Sequence, residues 1–171
     1  MSDDKVEQLV SAWERELPES LFATTELTKR VMVLADELGQ VTRRVLRDQG
    51  LTTAEFDVLA SLRRAGAPYR MKPTDLSRSL LLSSGGTSNV TNQLAGRGLV
   101  VREADPEDGR GTQIRLTEQG IEKAEDAVTA AARAHDQMWS GLPAEQLEAA
   151  TVALRALFVH SRPSTRSSIR T

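Results

Sequence analysis

The 171-residue chain contains no cysteine, which excludes disulfides, thiolate metal sites and thiol redox sensing. Histidine is scarce: His135 and His160 stand far apart, so a histidine-based metal site is not expected. Long apolar runs are missing as well, and none approaches the roughly 20 residues needed to cross a bilayer. The N-terminus, MSDDKVEQLVSAWERELPE, is charged throughout and lacks the apolar centre of a secretory signal. Catalytic constellations are equally absent. There is no Ser-His-Asp set and no acidic metal cluster, and SSGG at 83–86 lacks the lysine of a phosphate-binding loop. The expectation is a soluble, cytoplasmic, non-enzymatic protein with no metal, no cofactor and no membrane contact.

What is present suits one domain or a core with an appended arm: 39% hydrophobic and 27% charged residues, enough to bury a sizeable core. The net charge of −2 conceals an asymmetry. Residues 63–115 hold nine bases against five acids, and the remaining sequence is acidic. A basic middle between acidic flanks points to a polyanionic partner.

Helical periodicity dominates both ends. In 24–48 the apolar positions Leu27, Val31, Leu34, Leu38, Val41 and Val45 recur at alternating spacings of four and three, a seam facing another helix. After Thr117, a plausible N-cap, Ile121, Ala124, Val128, Ala131, His135 and Met138 form a second seam. Pro143 suits the first turn of a last helix bearing Leu147, Ala150, Leu154 and Leu157. A short N-terminal helix carries Val6, Leu9, Val10, Trp13 and Leu17 on one side. The seams suit two chains interlocking their terminal helices, with a monomeric bundle as the alternative. His135 then reads as an interface histidine bonded across the dimer. His160 carries no signal.

The middle has another rhythm. Thr52 and Glu55 form a capping box opening a helix with Phe56, Leu59 and Leu62 inward, which AGAP terminates. KPTDLSRSL is a short helix with Leu76 and Leu80 inward. A further helix starts near Ser83 or Ser84 and ends at the Gly96/Gly98 punctuation. Two β-prone runs, 99–103 and 112–116, flank an acidic glycine turn and read as a hairpin. The predicted fold is mainly α with a small β wing, a winged helix-turn-helix flanked by N- and C-terminal dimerisation helices. The expected segments are an arm at 1–18, dimerisation helices at 19–50 and 118–162, a DNA-binding domain at 51–117 and a loose tail at 163–171.

The helix after Ser84 carries the functional signal. Besides Val90 and Leu94 it offers Ser84, Thr87, Ser88, Asn89, Thr91, Asn92 and Gln93, with no charge until Arg97. A merely solvated helix would use Glu and Lys, which favour helix and add ion pairs. Amides suit the floor of the major groove, where Asn and Gln pair bidentately with adenine, and the free N–H groups at the helix start suit a phosphate. The alternative is a cap-rich surface helix, which explains the serines but not the amides. Thr74, Arg97 and Arg102 are further candidates for DNA contact. In the turn EADPEDGRG, Arg110 stands between Gly109 and Gly111, placing a cation at a tip small enough to approach a phosphate or the minor groove. Asp108 could orient Arg110 or Arg102, with the other acids turned away from the duplex. An incidental arginine in a glycine turn is the alternative.

The stretches LTTAEFDVLASLRRAG and PTDLSRSLLLSSGGTSNVTNQLAGRGLVVREADPEDGRGTQIRLTEQG closely resemble the MarR family of bacterial transcription regulators. The wing looks like that family's D-P-x-D-x-R pattern at Asp105, Pro106, Asp108 and Arg110, followed by L-T-x-x-G from Leu116 to Gly120. The likeness extends in outline over residues 25–160, with the specific motifs in 51–120. Gly109 departs from it, since many members carry arginine there. The resemblance implies an obligate homodimer on a palindromic double-stranded operator, with repression relieved by a small aromatic or anionic effector.

The arm resembles that of the family's urate-responsive branch, in which such an arm lends a tryptophan, here Trp13, to a pocket also holding an aspartate, here Asp57. That branch has an arginine in the recognition helix where this chain has Val90, Asn92 and Gln93, so urate is not expected. Another small organic acid or aromatic, held by Trp13, Phe22, Asp57 and an arginine such as Arg78, is the ligand-site expectation. The alternative has Trp13 packing the arm down with Leu9 and Leu17, and Asp57 pairing locally at the surface. A constitutive repressor or architectural protein without a ligand remains the competing function.

Overall fold

The computed structural model describes residues 4–80, 84–105 and 111–161. Within residues 4–135, which form one compact unit, the chain begins with α1 (Lys5–Glu16). Asp4 caps this helix, accepting from the Val6 and Glu7 amides at 2.9 and 3.2 Å, while its second oxygen takes Arg30 at 2.6 Å. One carboxylate thus both starts the arm and fastens it to α2 (Thr25–Asp48). A single 3₁₀ turn at Pro18–Ser20, unforeseen in the sequence, lies between them. Val6 is buried, whereas Leu9, Trp13 and Leu17 keep exposed surface.

Gly50, at φ +64°, turns the chain into α3 (Thr53–Arg64). The expected capping box is present: Glu55 N–H donates to Thr52 Oγ1 at 3.2 Å and Thr52 N–H donates to Glu55 Oε2 at 2.8 Å. Then follow β1 (Arg70–Met71), α4 (Pro73–Leu80), α5 (Ser84–Gly96), β2 (Val100–Ala104), β3 (Thr112–Leu116) and α6 (Glu118–Trp139). The sheet is antiparallel in the order β1-β3-β2, with Arg102 opposite Ile114 and Arg70 opposite Arg115. The fold class is therefore as expected, a mainly helical winged helix-turn-helix with a small sheet. The strand β1 is an addition. Two residues carry no readable alternation, and they become a strand because β3 offers an edge to pair with.

Leu46 of α2, Val58, Leu59 and Leu62 of α3, Leu76 of α4, Leu94 of α5 and Ile114 and Leu116 of β3 form one buried core. Ala124 and Ala127 of α6 complete it. The α6 seam is rotated slightly from expectation: Ala127 is buried and Val128 is 40% exposed. On α2 the expected seam residues Leu27, Val31 and Leu34 remain 44, 42 and 41% exposed. His135 has a hydrogen-bond partner within its own chain. Thr42 Oγ1 donates to the Leu38 carbonyl at 2.9 Å, so at 2.8 Å it accepts from His135 Nε2.

Residues 136–161 belong to a second unit, comprising the end of α6 and α7 (Ala144–Ser161). The α7 amides of Gln146 and Leu147 bond to the carbonyl of Pro143, which immediately precedes the first helical residue. Leu147, Leu154, Leu157 and Phe158 are exposed on α7. The side chain of His160 and the tail expected after residue 162 lie outside the described residues.

The start of α6 is clasped to the turn that follows α5. Thr117, the expected N-cap, donates its hydroxyl to the Gly98 carbonyl at 2.7 Å and accepts from the Gly120 amide at 3.0 Å. Its own amide donates to the Leu99 carbonyl at 3.1 Å. A Cβ at Gly120 would collide with that carbonyl. Helix propensity alone makes Gly→Ala favourable by about 1 kcal/mol. Here the clash reverses the sign, and Gly120→Ala is expected to cost on the order of 2–3 kcal/mol, as backbone displacement in a packed site does. Urea unfolding measures it, and a stabilised variant would show that the close approach is not rigid.

Candidate nucleic-acid interface

Thirteen residues of α5 serve two faces. Thr87, Val90, Thr91 and Leu94, at spacings of three, one and three, are 2, 9, 1 and 0% exposed. Ser88, Asn89, Asn92 and Gln93 are exposed on the opposite side. This corrects the expectation for Thr87 and Thr91: both turn inward instead of toward a groove. Their hydroxyls make the burial tolerable. Thr87 Oγ1 accepts from Ser77 on α4 at 2.9 Å, and Thr91 Oγ1 donates to the Ser88 carbonyl at 3.0 Å. The spacing of these threonines with Val90 and Leu94 was the signal that could have revealed them. Ser84 opens the helix, and its side chain lies outside the described residues. Thr74 is exposed in the first turn of α4.

Two arginines expected on DNA are held by the protein. Arg97, one residue beyond α5, donates to Glu55 Oε1 at 2.7 Å and to the Gly50 carbonyl at 3.0 Å. Arg102 of β2 donates to Thr91 Oγ1 at 2.8 Å, linking the wing strand to the helix. Burial is the largest influence on Glu55 and pushes its carboxyl upward. The Thr52 amide, the Arg97 guanidinium and the Thr52 hydroxyl together outweigh it, and the pKa lies below its ordinary value.

The base of the wing resolves part of its acidity. Asp105 is 1% exposed, with Lys72 Nζ 2.9 Å from its Oδ2 and its amide donating to the Gly111 carbonyl at 2.9 Å. It therefore anchors the turn from within the protein. Glu103 accepts from Arg115 across the strand pair at 2.9 Å. Asp108, Gly109 and Arg110 lie outside the described residues.

A cleft of about 440 Å³ lies between α3, α4 and α6, lined by Phe56, Asp57, Ser61, Arg64, Leu80 and Val128 among others. Burial raises the Asp57 carboxyl above its ordinary pKa, partly opposed by Arg64. Of the four expected ligand residues, only Asp57 is here. Trp13 is on α1 and 45% exposed, Phe22 is 73% exposed, and the Arg78 side chain pairs with Asp75 at 3.1 Å. These three do not line the cleft within the chain, because α1 packs along α2 and Arg78 stands on the outer side of α4. Arg64 is the cleft's arginine, and it shares one side of α3 with Asp57 and Ser61 at spacings of four and three, a relation readable in the sequence. Among the described residues no group of three His, Asp or Glu could hold a metal ion, and no helix is long and apolar enough to cross a membrane.

Residues 49–111 match the family model described as MarR family. The HTH-type transcriptional regulator PecS of Dickeya dadantii is 30% identical over 121 residues, covering 68% of this chain and 70% of PecS. Two solved structures share the fold. A cysteine-to-serine variant of MarR from E. coli, complexed with operator DNA, superimposes at a TM-score of 0.65 with 21% identity, covering 85% of this chain and 96% of that one. The organohalide-sensing regulator RdhR, bound to 2,4-dichlorophenol, gives a TM-score of 0.70 with 21% identity, covering 91 and 90%. A two-faced helix beside a hairpin wing, together with a relative of this identity across two thirds of both sequences, leads to one conclusion: the chain belongs to the MarR family of HTH-type transcriptional regulators.

Proposed function

We propose that the chain is a cytoplasmic, homodimeric, sequence-specific repressor that reads a palindromic operator through α5 and leaves it on binding a small organic ligand. The observation that carries the reading is the outward face of α5. Four exposed residues, Ser88, Asn89, Asn92 and Gln93, are uncharged hydrogen-bonding groups on a helix whose other side is fully spent on docking. Asn92 and Gln93 suit adenine edges in the major groove. Arg110, between two glycines in the turn joining β2 and β3, is the proposed wing contact to phosphate or minor groove.

The exposed Leu27, Val31 and Leu34 on α2, and separately Leu147, Leu154 and Leu157 on α7, support a second copy as the cover for these faces. Two α5 helices must then lie about 34 Å apart to enter successive major grooves. A ligand that prefers another separation shifts the dimer away from DNA. The Asp57 cleft is the proposed ligand site, with Arg64 for an anionic group and Phe56, Leu80 and Val128 for a ring. Like the operator-bound MarR and the dichlorophenol-bound RdhR, the protein would combine both properties. Urate is not the proposed ligand, because α5 carries no arginine. A ligand-free repressor is the second reading, favoured by Trp13, Phe22 and Arg78 not lining the cleft.

Fluorescence anisotropy with the intergenic DNA beside the gene tests the reading across a salt series and a panel of aromatic and carboxylic metabolites. Affinity is expected to fall steeply with salt. Arg110→Ala should weaken all sequences alike and lower the salt slope by about one, whereas Asn92→Ala should relax discrimination at one base by about 1–3 kcal/mol. If the two variants behaved identically, the division of roles would be wrong. One compound of the panel should reverse binding, and binding that none reverses would favour the ligand-free reading.

Asp57 gives an independent check. Its folded-state pKa is raised, so its ionised form is less favourable in the folded than in the unfolded chain. The penalty is absent below the ordinary aspartate value of about 3.9 and sets in as the pH rises through the raised one. Asp57→Asn should therefore be more stable than the wild type at pH 7, with the difference vanishing near pH 3. A variant less stable at pH 7 would contradict the desolvated carboxylate.

A further inference from the structure

We infer that Arg97 is a positioning residue: it sets the angle at which α5 meets DNA by clamping the helix end to Glu55 and the Gly50 carbonyl. The role rests on the DNA-reading function proposed above. Three observations carry it. First, among the described residues the buried side chains of α5 are four, two of them threonines, with Ala95 partly buried beside them and none larger than leucine. So small an apolar anchor leaves the helix dependent on its ends. Second, the chain reverses immediately after it. The Arg97 amide bonds to the Gln93 carbonyl at 3.2 Å, Gly98 adopts φ +71°, and the Leu99 amide returns to the Leu94 carbonyl at 3.0 Å. Arg97 stands at this reversal, within one turn of Gln93.

Third, the Glu55 carboxylate divides its work. Oε2 accepts from the Thr52 amide and hydroxyl at 2.8 and 3.0 Å and so closes the start of α3, while Oε1 accepts Arg97 at 2.7 Å. The Glu55 side chain is 6% exposed, and Arg97 is its ion-pair partner. A guanidinium that neutralises a buried carboxylate is not free to swing to a phosphate. Doing so would leave the carboxylate buried and uncompensated, the costly way to break such a pair. The fork geometry of arginine also lets one side chain reach both the carboxylate and a carbonyl, tying the exit of α5 to the junction between α2 and α3.

The two possible roles of Arg97 respond in opposite directions to Glu55→Gln. Glutamine keeps an oxygen for the Thr52 cap but presents its amide group to Arg97, which opens the clamp without removing the cation. For a positioning residue, Glu55→Gln and Arg97→Ala should each weaken operator binding by about tenfold, the loss of one base contact. The salt slope should stay at the wild-type value, and the double variant should bind no worse than either single one. Arg97→Lys, which reaches Glu55 but cannot fork to the carbonyl, should fall between. Anisotropy against operator and scrambled DNA of equal length, with circular dichroism to show each variant folded, reads all four.

A salt slope lowered by about one in Arg97→Ala, with Glu55→Gln binding as well as or better than wild type, would make Arg97 a phosphate contact and overturn the inference. Unchanged operator affinity in folded Glu55→Gln and Arg97→Ala would overturn it too, leaving the clamp a matter of stability alone. Should the wild type show no preference for operator over scrambled DNA, the reading function itself would fall and this role with it. The wild-type arm alone separates that case from the others.

Discussion

The helix proposed to read DNA must be held by one face and kept unspent on the other, and α5 has thirteen residues with which to meet both demands. A leucine-rich inner face would dock it firmly but would leave fewer short side chains near the groove. The solution in this chain is a mixed one. Val90 and Leu94 supply the apolar contact, while Thr87 and Thr91 bury hydroxyls that neighbouring elements satisfy. Each of those hydroxyls then adds direction, because a hydrogen bond fixes orientation where an apolar contact does not. The rest of the lobe is arranged around that need. Ser77 reaches from α4, Arg102 from β2 and Arg97 from beyond the helix end.

This has a consequence for the electrostatics. The basic excess of residues 63–115 overstates the charge available to a nucleic acid. Arg97, Arg115, Lys72 and Arg78 each stand opposite a carboxylate within the protein, and Arg63 reaches Glu125 of α6 at 2.7 Å. Exposed pairs such as Arg78 with Asp75 contribute little to stability. Their effect is to reduce the unbalanced positive field to fewer positions. Attraction to phosphate is then a property of particular places on the surface and not of the lobe as a whole.

Much of the architecture was legible because it is written locally. The Thr52–Glu55 box, the Thr117 cap and the glycine at 98 all act within a few residues of themselves, and each sits where its chemistry demands. The hairpin was equally plain from two β-prone runs around a glycine turn. What escaped was non-local. The strand β1 exists through its partner β3, and Arg97 finds Glu55 at a separation of 42 residues. Asp105 meets Lys72 across 33 residues, a pairing its own neighbourhood in the sequence does not announce. Thr87 and Thr91 were misjudged for another reason: their polarity was weighed ahead of their spacing. The ligand residues were the least legible, since a cleft between three helices is a property of their packing and leaves no contiguous trace in the sequence.

The strand order β1-β3-β2 also leaves β2 with one neighbour among the described residues. A five-residue strand with an open side is a template on which another extended chain can grow. Arg102 and Glu103 place opposite charges along that short edge, and Arg102 is further drawn toward α5. A bound strand would have to desolvate those charges and separate Arg102 from Thr91. The same arginine that braces α5 therefore also makes the outer edge of the wing a poor template for strand addition.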